Sequence, residues 1–131
     1  MPIRKCRDLK VYNLSYDSAM NIFALCREFP NREKYSLISQ VIRSSRSVPV
    51  NIREGFAKRR YKPVFIRPLI DAIGSAEETK AWIDFARDCR YLSNDKHHKI
   101  MANYKEITAM LFGLIKNWEN FADSKEIPEK D

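Results

Sequence analysis

Residues 100–121 of the chain read IMANYKEITAMLFGLIKNWENF. Their large apolar side chains recur at alternating steps of four and three residues, and they are Ile100, Tyr104, Ile107, Leu111, Leu114, Trp118 and Phe121. A seam with this average period of about 3.5 residues is typical of helices that pack in a bundle or a coiled coil. The spacing therefore predicts a helix over residues 95–121, with Ser93 or Asn94 as its N-terminal cap.

Three more helices are predicted upstream from their apolar periodicity, over residues 9–28, 32–60 and 63–91. The stretch Phe29-Pro30-Asn31 ends the first of them. The side chains expected to face inward on the first helix are Leu9, Tyr12, Tyr16, Met20, Phe23 and Cys26. On the third helix they are Ile66, Leu69, Ile70, Ile73, Ala76 and Ile83.

Three prolines bear on the bounds of these helices. Pro49 lies inside the second, and an interior proline removes a backbone hydrogen bond and crowds the preceding turn. We therefore expect this helix to kink near Pro49, or to break there and restart with Ser47 as a cap. Pro63 fits the first turn of the third helix, with Pro68 as an alternative start.

The short connections between these helices predict antiparallel neighbours. The predicted fold class is all-α, an up-down-up-down four-helix bundle formed by a single domain over residues 1–131. Its core spans about residues 8–121, and residues 122–131 form a frayed tail. Six apolar residues fall off the inward stripes and indicate either a subunit interface or the edges of the core; they are Val11, Leu14, Trp82, Phe85, Met101 and Ile115.

Cysteine usage and hydropathy bear on the compartment. Three cysteines in 131 residues cannot all pair, which favours a reducing, cytoplasmic setting over a secreted disulfide-rich module. The longest uncharged runs have nine residues, whereas a membrane-spanning helix needs about 20. No signal peptide is recognised either, because no apolar stretch follows the basic residues 4–10.

The net charge of +7 is concentrated in residues 41–67. That window has Glu54 as its single anion and eight cations: Arg43, Arg46, Arg53, Lys58, Arg59, Arg60, Lys62 and Arg67. Such a cluster repels itself unless a polyanion or an acidic partner neutralises it. These eight residues are the predicted binding site for RNA or DNA. The alternatives are an acidic protein partner and an ordinary solvated surface.

Catalytic and metal-binding patterns are not found in the sequence. His97 and His98 are adjacent, so they point about 100° apart on a helix, and the cysteines lack a C-x-x-C spacing. Three dispersed glycines cannot build a phosphate-binding loop. The carboxylates Glu77, Glu78, Asp84 and Asp88 lie among Lys80 and Arg87, which favours a solvated ion-pair face. We therefore predict no enzyme, no metal and no cofactor; an enzyme that uses this acidic cluster is the alternative.

A polar stripe follows one face of the second helix at steps of three and four residues: Gln40, Arg43, Ser47, Asn51, Glu54 and Lys58. In one interpretation it is a structural network in which Ser47 and Asn51 satisfy backbone groups freed by Pro49, and Glu54 pairs with an arginine. In the other, Arg43, Arg46, Arg53 and Lys58 form a row that follows phosphates. The two interpretations are compatible because stripe and row occupy adjacent faces.

The run SVPVNIREG at residues 47–55, preceded by Phe29-Pro30, Glu33, Tyr35, Leu37, Gln40 and Arg43, resembles a known family. It is similar to the small four-helix-bundle proteins encoded in intervening sequences of large-subunit ribosomal RNA genes. The same fold group includes accessory variability proteins of diversity-generating retroelements. The likeness extends over about residues 8–121, and Gly74-Ser75, Glu78 and Tyr91-Leu92 belong to it.

The resemblance implies a ring-shaped homo-oligomer, typically a pentamer, with a basic surface. In the retroelement branch it implies binding to a reverse transcriptase and to its template RNA. It carries over no catalytic residues. The positions that it implies to be structural are Gln40, Ser47, Pro49, Asn51, Glu54 and Gly55.

Overall fold

The computed structural model describes residues 3–122, apart from the side chain of Phe121. A 3-10 turn at Cys6–Asp8 leads into α1, Lys10–Leu25, which ends in a second 3-10 turn at Cys26–Glu28. A 3-10 turn at Asn31–Glu33 and a π-helical turn at Lys34–Ile38 precede α2, Ser39–Ala57. The remaining helices are α3, Lys62–Asp88, α4, Asn94–Lys116, and the short α5, Glu119–Ala122.

The described chain contains helices and turns and no strand, so the all-α helical-bundle prediction is confirmed. α2 lies against α1 and α3, and α4 lies against α3 and α1. Cross-helix contacts of α2 with α3 fall in reverse order along the two helices, from Ser44 with Thr79 to Gly55 with Phe65, as antiparallel neighbours give. The up-down-up-down order of all four helices stays a prediction, and the predicted tail over residues 123–131 lies outside the described residues.

The core confirms the apolar seam of α4 as far as Leu114. The helix ends at Lys116 and not at the predicted residue 121, and the Phe121 side chain, predicted to close the seam, lies outside the described residues. Ile100, Tyr104, Ile107, Leu111 and Leu114 are all buried, and Trp118 is packed against the core at its edge. Ser93 caps this helix through its hydroxyl, which accepts a hydrogen bond from the backbone N–H of Lys96 at 3.1 Å. Several large apolar side chains of α1, α2 and α3 are buried in the same core. The removal of these side chains from water is the main contribution to the stability of the fold.

On α1 the predicted inward face is wrong in part. Tyr16 and Met20 are exposed, whereas Ser15, Ser18 and Ala19 are buried. Small residues on this face let the neighbouring helices approach, and the Ser15 hydroxyl satisfies itself on the Tyr12 carbonyl at 2.9 Å. On α3, likewise, the predicted Ile70 is exposed, whereas Ala72 and Thr79, which lie off the predicted stripe, are fully buried.

The prolines interrupt the helices less than predicted. α2 continues through Pro49, so the expected break with a restart at Ser47 is wrong, and the kink stays a prediction. α3 begins at Lys62 and runs through Pro68, so the alternative start at Pro68 is wrong as well. Pro63 lies in the first turn, where its missing N–H costs no helical hydrogen bond.

The six surplus apolar residues mostly extend the core. Val11 is buried, and Leu14, Trp82, Met101 and Ile115 are packed against the core at its edges. Phe85 alone among the six is an exposed side chain. None of the helices over residues 3–122 is long and apolar enough to cross a membrane.

Candidate nucleic-acid interface

Two of the eight predicted cations are already neutralised within the chain. Arg43 forms an ion pair with Glu78 of α3 and donates to the Gln40 side chain at 3.0 Å. Lys58 pairs with Glu54 one turn earlier on α2 at 3.1 Å. Both pairs are solvent-exposed and contribute only about 0–1 kcal/mol each. A phosphate that contacts either cation still shares it with a carboxylate of the same chain, so these two are less suited to binding than cations without such a partner.

Arg59 lies in the core. Its residue is 4% exposed, and its guanidinium donates to the Phe56 carbonyl at 2.9 Å and stacks 4.1 Å from the Phe56 ring centroid. The Arg59 carbonyl accepts a hydrogen bond of 2.7 Å from the indole N–H of Trp118. These contacts make Arg59 a link from the end of α2 to the end of α4 rather than an exposed phosphate ligand.

Arg60 lies in the turn between α2 and α3, Lys62 is the first residue of α3, and Arg67 lies in the second turn of that helix; all three are exposed. We call these three cations and Tyr61 the basic turn. None of the three forms an ion pair within residues 3–122. Lys62 lies 5.9 Å from the Trp118 ring centroid, and the Tyr61 residue is 73% exposed. The basic turn therefore presents cations and an aromatic ring to solvent together.

The last two predicted cations, Arg46 and Arg53, face α1. The guanidinium of Arg46 lies 5.2 Å from the Phe23 ring centroid and is exposed. Arg53 is half-buried, with its Nη1 3.4 Å from the Tyr12 hydroxyl. Both line an open groove of about 570 Å³ between α1 and α2, which we call the α1/α2 groove and which the sequence analysis missed. Its lining is Tyr12, Tyr16, Ala19, Met20, Arg46, Pro49, Val50, Arg53, Glu54 and Ala57.

The polar stripe of α2 forms a seam with α3. The Ser47 hydroxyl lies 2.8 Å from the Ser75 hydroxyl, and the Asn51 amide donates to the Ser47 carbonyl at 2.9 Å and to its hydroxyl at 3.0 Å. The predicted network therefore exists with different partners. Pro49 deprives the Ser45 carbonyl of its helical donor, and Asn51 bonds at Ser47 instead.

Two further details of the stripe differ from prediction or add to it. Glu54 pairs with Lys58 and not with an arginine within the described residues. Gly55 lies where α2 and α3 approach closely, since a Cβ there would lie 3.1 Å from the Phe65 carbonyl oxygen of α3. Glu54, in contrast, lines the α1/α2 groove, so the structural role implied for these two positions stays a prediction.

The acidic residues of α3 form ion pairs, as the favoured interpretation expected. Glu77 pairs with Lys80 at 3.0 Å, and Asp88 with Arg87 at 3.0 Å. Within the part of the chain that the structure describes, no group of three or more His, Cys, Asp or Glu side chains is placed to hold a metal ion.

One further pair, which no sequence pattern indicates, joins α3 to α4. His97 Nε2 lies 2.7 Å from Asp84 Oδ1, and its Nδ1 lies 3.4 Å from Arg87 Nη1. His97 follows Asp84 by thirteen positions and lies on the next helix, so no spacing within one helix indicates the pair.

The fold and these contacts define a class: an all-helical bundle with a hydroxyl-lined α2–α3 seam and a basic turn at one end. The family model for the 23S rRNA-intervening sequence protein matches residues 7–113. The chain belongs to this family, and the resemblance noted from the residue 47–55 motif is confirmed to that extent.

A solved structure supports the same assignment. It is a protein of unknown function from the S23 ribosomal protein family of Bacteroides thetaiotaomicron, 28% identical in sequence, with a TM-score of 0.72. The match covers 82% of this chain and 96% of that one. No curated protein matches the chain.

Proposed function

We propose that this protein is a non-catalytic nucleic-acid-binding protein and that the basic turn is its phosphate-binding surface. The observation that supports it is the set of three exposed cations, Arg60, Lys62 and Arg67, which have no carboxylate partner within residues 3–122. Arg43 and Lys58 already form ion pairs, and Arg59 is buried. We therefore assign phosphate binding to fewer residues than the eight predicted.

Binding at the basic turn depends on salt and little on sequence. Each phosphate neutralised on a single strand contributes a slope of about −0.7 in log K against log salt, so three contacts per subunit give about −2. The exposed Tyr61 ring adds stacking on a base, which every sequence provides.

The test is a charge reversal with a matched control. The variant Arg60→Glu, Lys62→Glu, Arg67→Glu is compared with Lys34→Glu, Lys96→Glu, Lys99→Glu, whose lysines are equally exposed. Lys34 precedes α2 and Arg60 follows it, so the length of α2, about 28 Å, separates them.

Affinity for a fluorescein-labelled single-stranded RNA is measured by anisotropy between about 50 and 200 mM salt. We expect the basic-turn variant to lose binding and most of the salt slope, and the control to keep both. Equal behaviour of the two variants contradicts the proposal.

We propose in addition that the protein works as an oligomer, for which the family resemblance suggests a ring of five. The mass in solution, measured by light scattering against the 15.5 kDa protomer, tests it.

A reverse transcriptase partner, from the retroelement branch, is a further proposal. It is tested by co-purification with the reverse transcriptase of a neighbouring gene after nuclease treatment.

A protein-interaction scaffold with no direct nucleic-acid role is the second candidate. An aromatic groove of about 420 Å³ between the segment before α2 and the end of α3 favours it. Tyr35 and Phe85 line this groove and are 86% and 58% exposed. A partner retained from nuclease-treated lysate by the wild type, but lost by Tyr35→Ser, Phe85→Ser, supports the scaffold, provided that no RNA binding is measured.

A further inference from the structure

We infer that the α1/α2 groove binds unpaired nucleobases of a single strand whose phosphates continue onto the basic turn. The inference rests on the proposed function and names its substrate class, single-stranded rather than duplex nucleic acid.

The floor of the groove is apolar and open to solvent. Tyr16, Met20 and Val50 are 39%, 49% and 64% exposed although they lie side by side on α1 and α2. Contiguous exposed apolar surface of this kind marks a binding site more often than isolated apolar residues do. The volume of about 570 Å³ lies within the range of small-molecule sites.

The rim of the groove is cationic. Arg46 and Arg53 line it, and the Arg7 guanidinium lies 4.4 Å from the Tyr16 ring centroid and 5.0 Å from that of Tyr12. The one carboxylate in the lining, Glu54, is already paired with Lys58 at 3.1 Å. The groove therefore suits a ligand with a flat apolar body and a negative charge beside it. A nucleotide with an unstacked base has this combination, since bases stack on aromatic rings and on guanidinium planes.

The groove ends close to the start of the basic turn along the chain. The lining extends along α2 from Arg46 to Ala57, about 16 Å of helix axis, and the basic turn begins three residues later at Arg60. One strand can thus place phosphates on the basic turn and bases in the groove. Bases inside a duplex are stacked on each other and cannot enter the groove.

The experiment uses three probes: a single-stranded oligothymidylate, an abasic strand of the same length, and a duplex. Tyr16→Ala is compared with Phe112→Ala, which truncates an exposed aromatic ring of α4 outside both grooves. We expect Tyr16→Ala to weaken oligothymidylate binding by about 5- to 100-fold and to leave the abasic strand and the duplex unchanged. Phe112→Ala leaves all three unchanged. Val50→Ala is expected to weaken oligothymidylate binding as well. Because Val50 is more exposed than Tyr16, this substitution carries less risk to folding.

The outcomes separate this inference from the proposed function. If the wild type binds none of the probes, both fail. If the basic-turn variant loses all three probes while Tyr16→Ala and Val50→Ala lose none, the groove assignment is overturned and the proposed function stands. Equal weakening of all three probes by Tyr16→Ala also overturns it. So does a change in the oligomeric mass of Tyr16→Ala in light scattering, which would make the groove an interface between copies of the chain.

Discussion

Ser44 of α2 and Thr79 of α3 are both fully buried, and their hydroxyls form a hydrogen bond of 2.9 Å across the helix pair. The Thr79 hydroxyl also lies 2.8 Å from the Ser75 carbonyl, while that of Ser44 is 3.4 Å from the Val41 carbonyl. Together with the Ser47–Ser75 pair, this makes the α2–α3 contact a line of hydroxyl groups. Small polar residues let the two helices lie close while their hydrogen-bonding groups stay satisfied.

Replacing Thr79 by valine tests this line. Valine keeps the shape but removes the hydroxyl, which leaves Ser44 with its longer bond to the Val41 carbonyl alone. We expect the free energy of unfolding in urea to fall by about 1–2 kcal/mol. Thr108→Val is the control, because Thr108 is half-buried and bonds only within its own helix. An equal loss in both variants contradicts a special role for the Ser44–Thr79 pair.

Alanine substitutions at Gly55 and Gly74 are expected to change the free energy of unfolding in opposite directions. A Cβ at Gly55 would lie 3.1 Å from the Phe65 carbonyl and 3.4 Å from Leu69 and Pro68, so α3 must shift. The gain in helix propensity, about 1 kcal/mol, does not offset an overpacking cost of about 1–3 kcal/mol. At Gly74 nothing lies within 4 Å.

Gly55→Ala is therefore expected to lower the free energy of unfolding by about 1 kcal/mol. Gly74→Ala is expected to raise it by about 0.5–1 kcal/mol, because alanine favours the helix. Chemical denaturation of both variants measures this. Stabilisation by Gly55→Ala would show that the α2–α3 contact is looser than its geometry indicates.

The sequence predicted well where large apolar side chains carry the packing. The α4 seam follows its period without interruption because these residues outweigh everything else on that face. On α1 the middle of the inward face is formed by the small residues Ser15, Ser18 and Ala19, which give a weak apolar signal. The larger Tyr16 and Met20 were therefore predicted to lie inside, and they are exposed. Periodicity identifies a buried face only when the buried residues are the large ones.

The candidate site was predictable as a region and not residue by residue. Arg59 and Arg60 are adjacent and chemically identical, yet one is buried under Phe56 and the other is exposed. The difference arises from where α2 ends, and helix ends are poorly encoded locally. Arg43 is neutralised by Glu78, which lies 35 residues away, and spacing within α2 carries no information about the register of α3.

The Glu33 carboxylate connects the segment before α2 to Tyr91. Through this connection, the free energy of unfolding depends on pH in the acid range. The carboxylate accepts hydrogen bonds from the Ser36 hydroxyl at 2.6 Å and from the Tyr91 hydroxyl at 2.8 Å, and these lower the pKa of Glu33. A lowered pKa means that the ionised form is favoured in the folded state. The contribution is therefore present at neutral pH and is lost as the pH falls below about 4.3, the ordinary pKa of a glutamate.

Tyr91→Phe removes one of these donors. We expect the melting temperature to fall near pH 7 and the difference from the wild type to shrink in acid, as the pH falls below the ordinary pKa of a glutamate and through the lowered pKa of Glu33. Circular dichroism melts at several pH values measure it. Tyr35→Phe serves as control, since Tyr35 is 86% exposed. A difference for Tyr91→Phe that stays constant with pH would mean that the Glu33 carboxylate is not the acceptor that matters.

The three cysteines differ in burial, and this predicts how their thiols react. Cys6 and Cys26 are buried and Cys89 is exposed, with no disulfide among them. Burial raises the pKa of Cys26 to about 11, which leaves almost no thiolate at pH 8. Because the thiolate is the reactive form, we expect a disulfide reagent to titrate one thiol per chain in the native state and three in urea. Cys89→Ser should abolish the reaction of the native protein, while two thiols still react after unfolding. A second thiol that reacts fast in the native wild type would show that α1 opens at the end that carries Cys6 or Cys26.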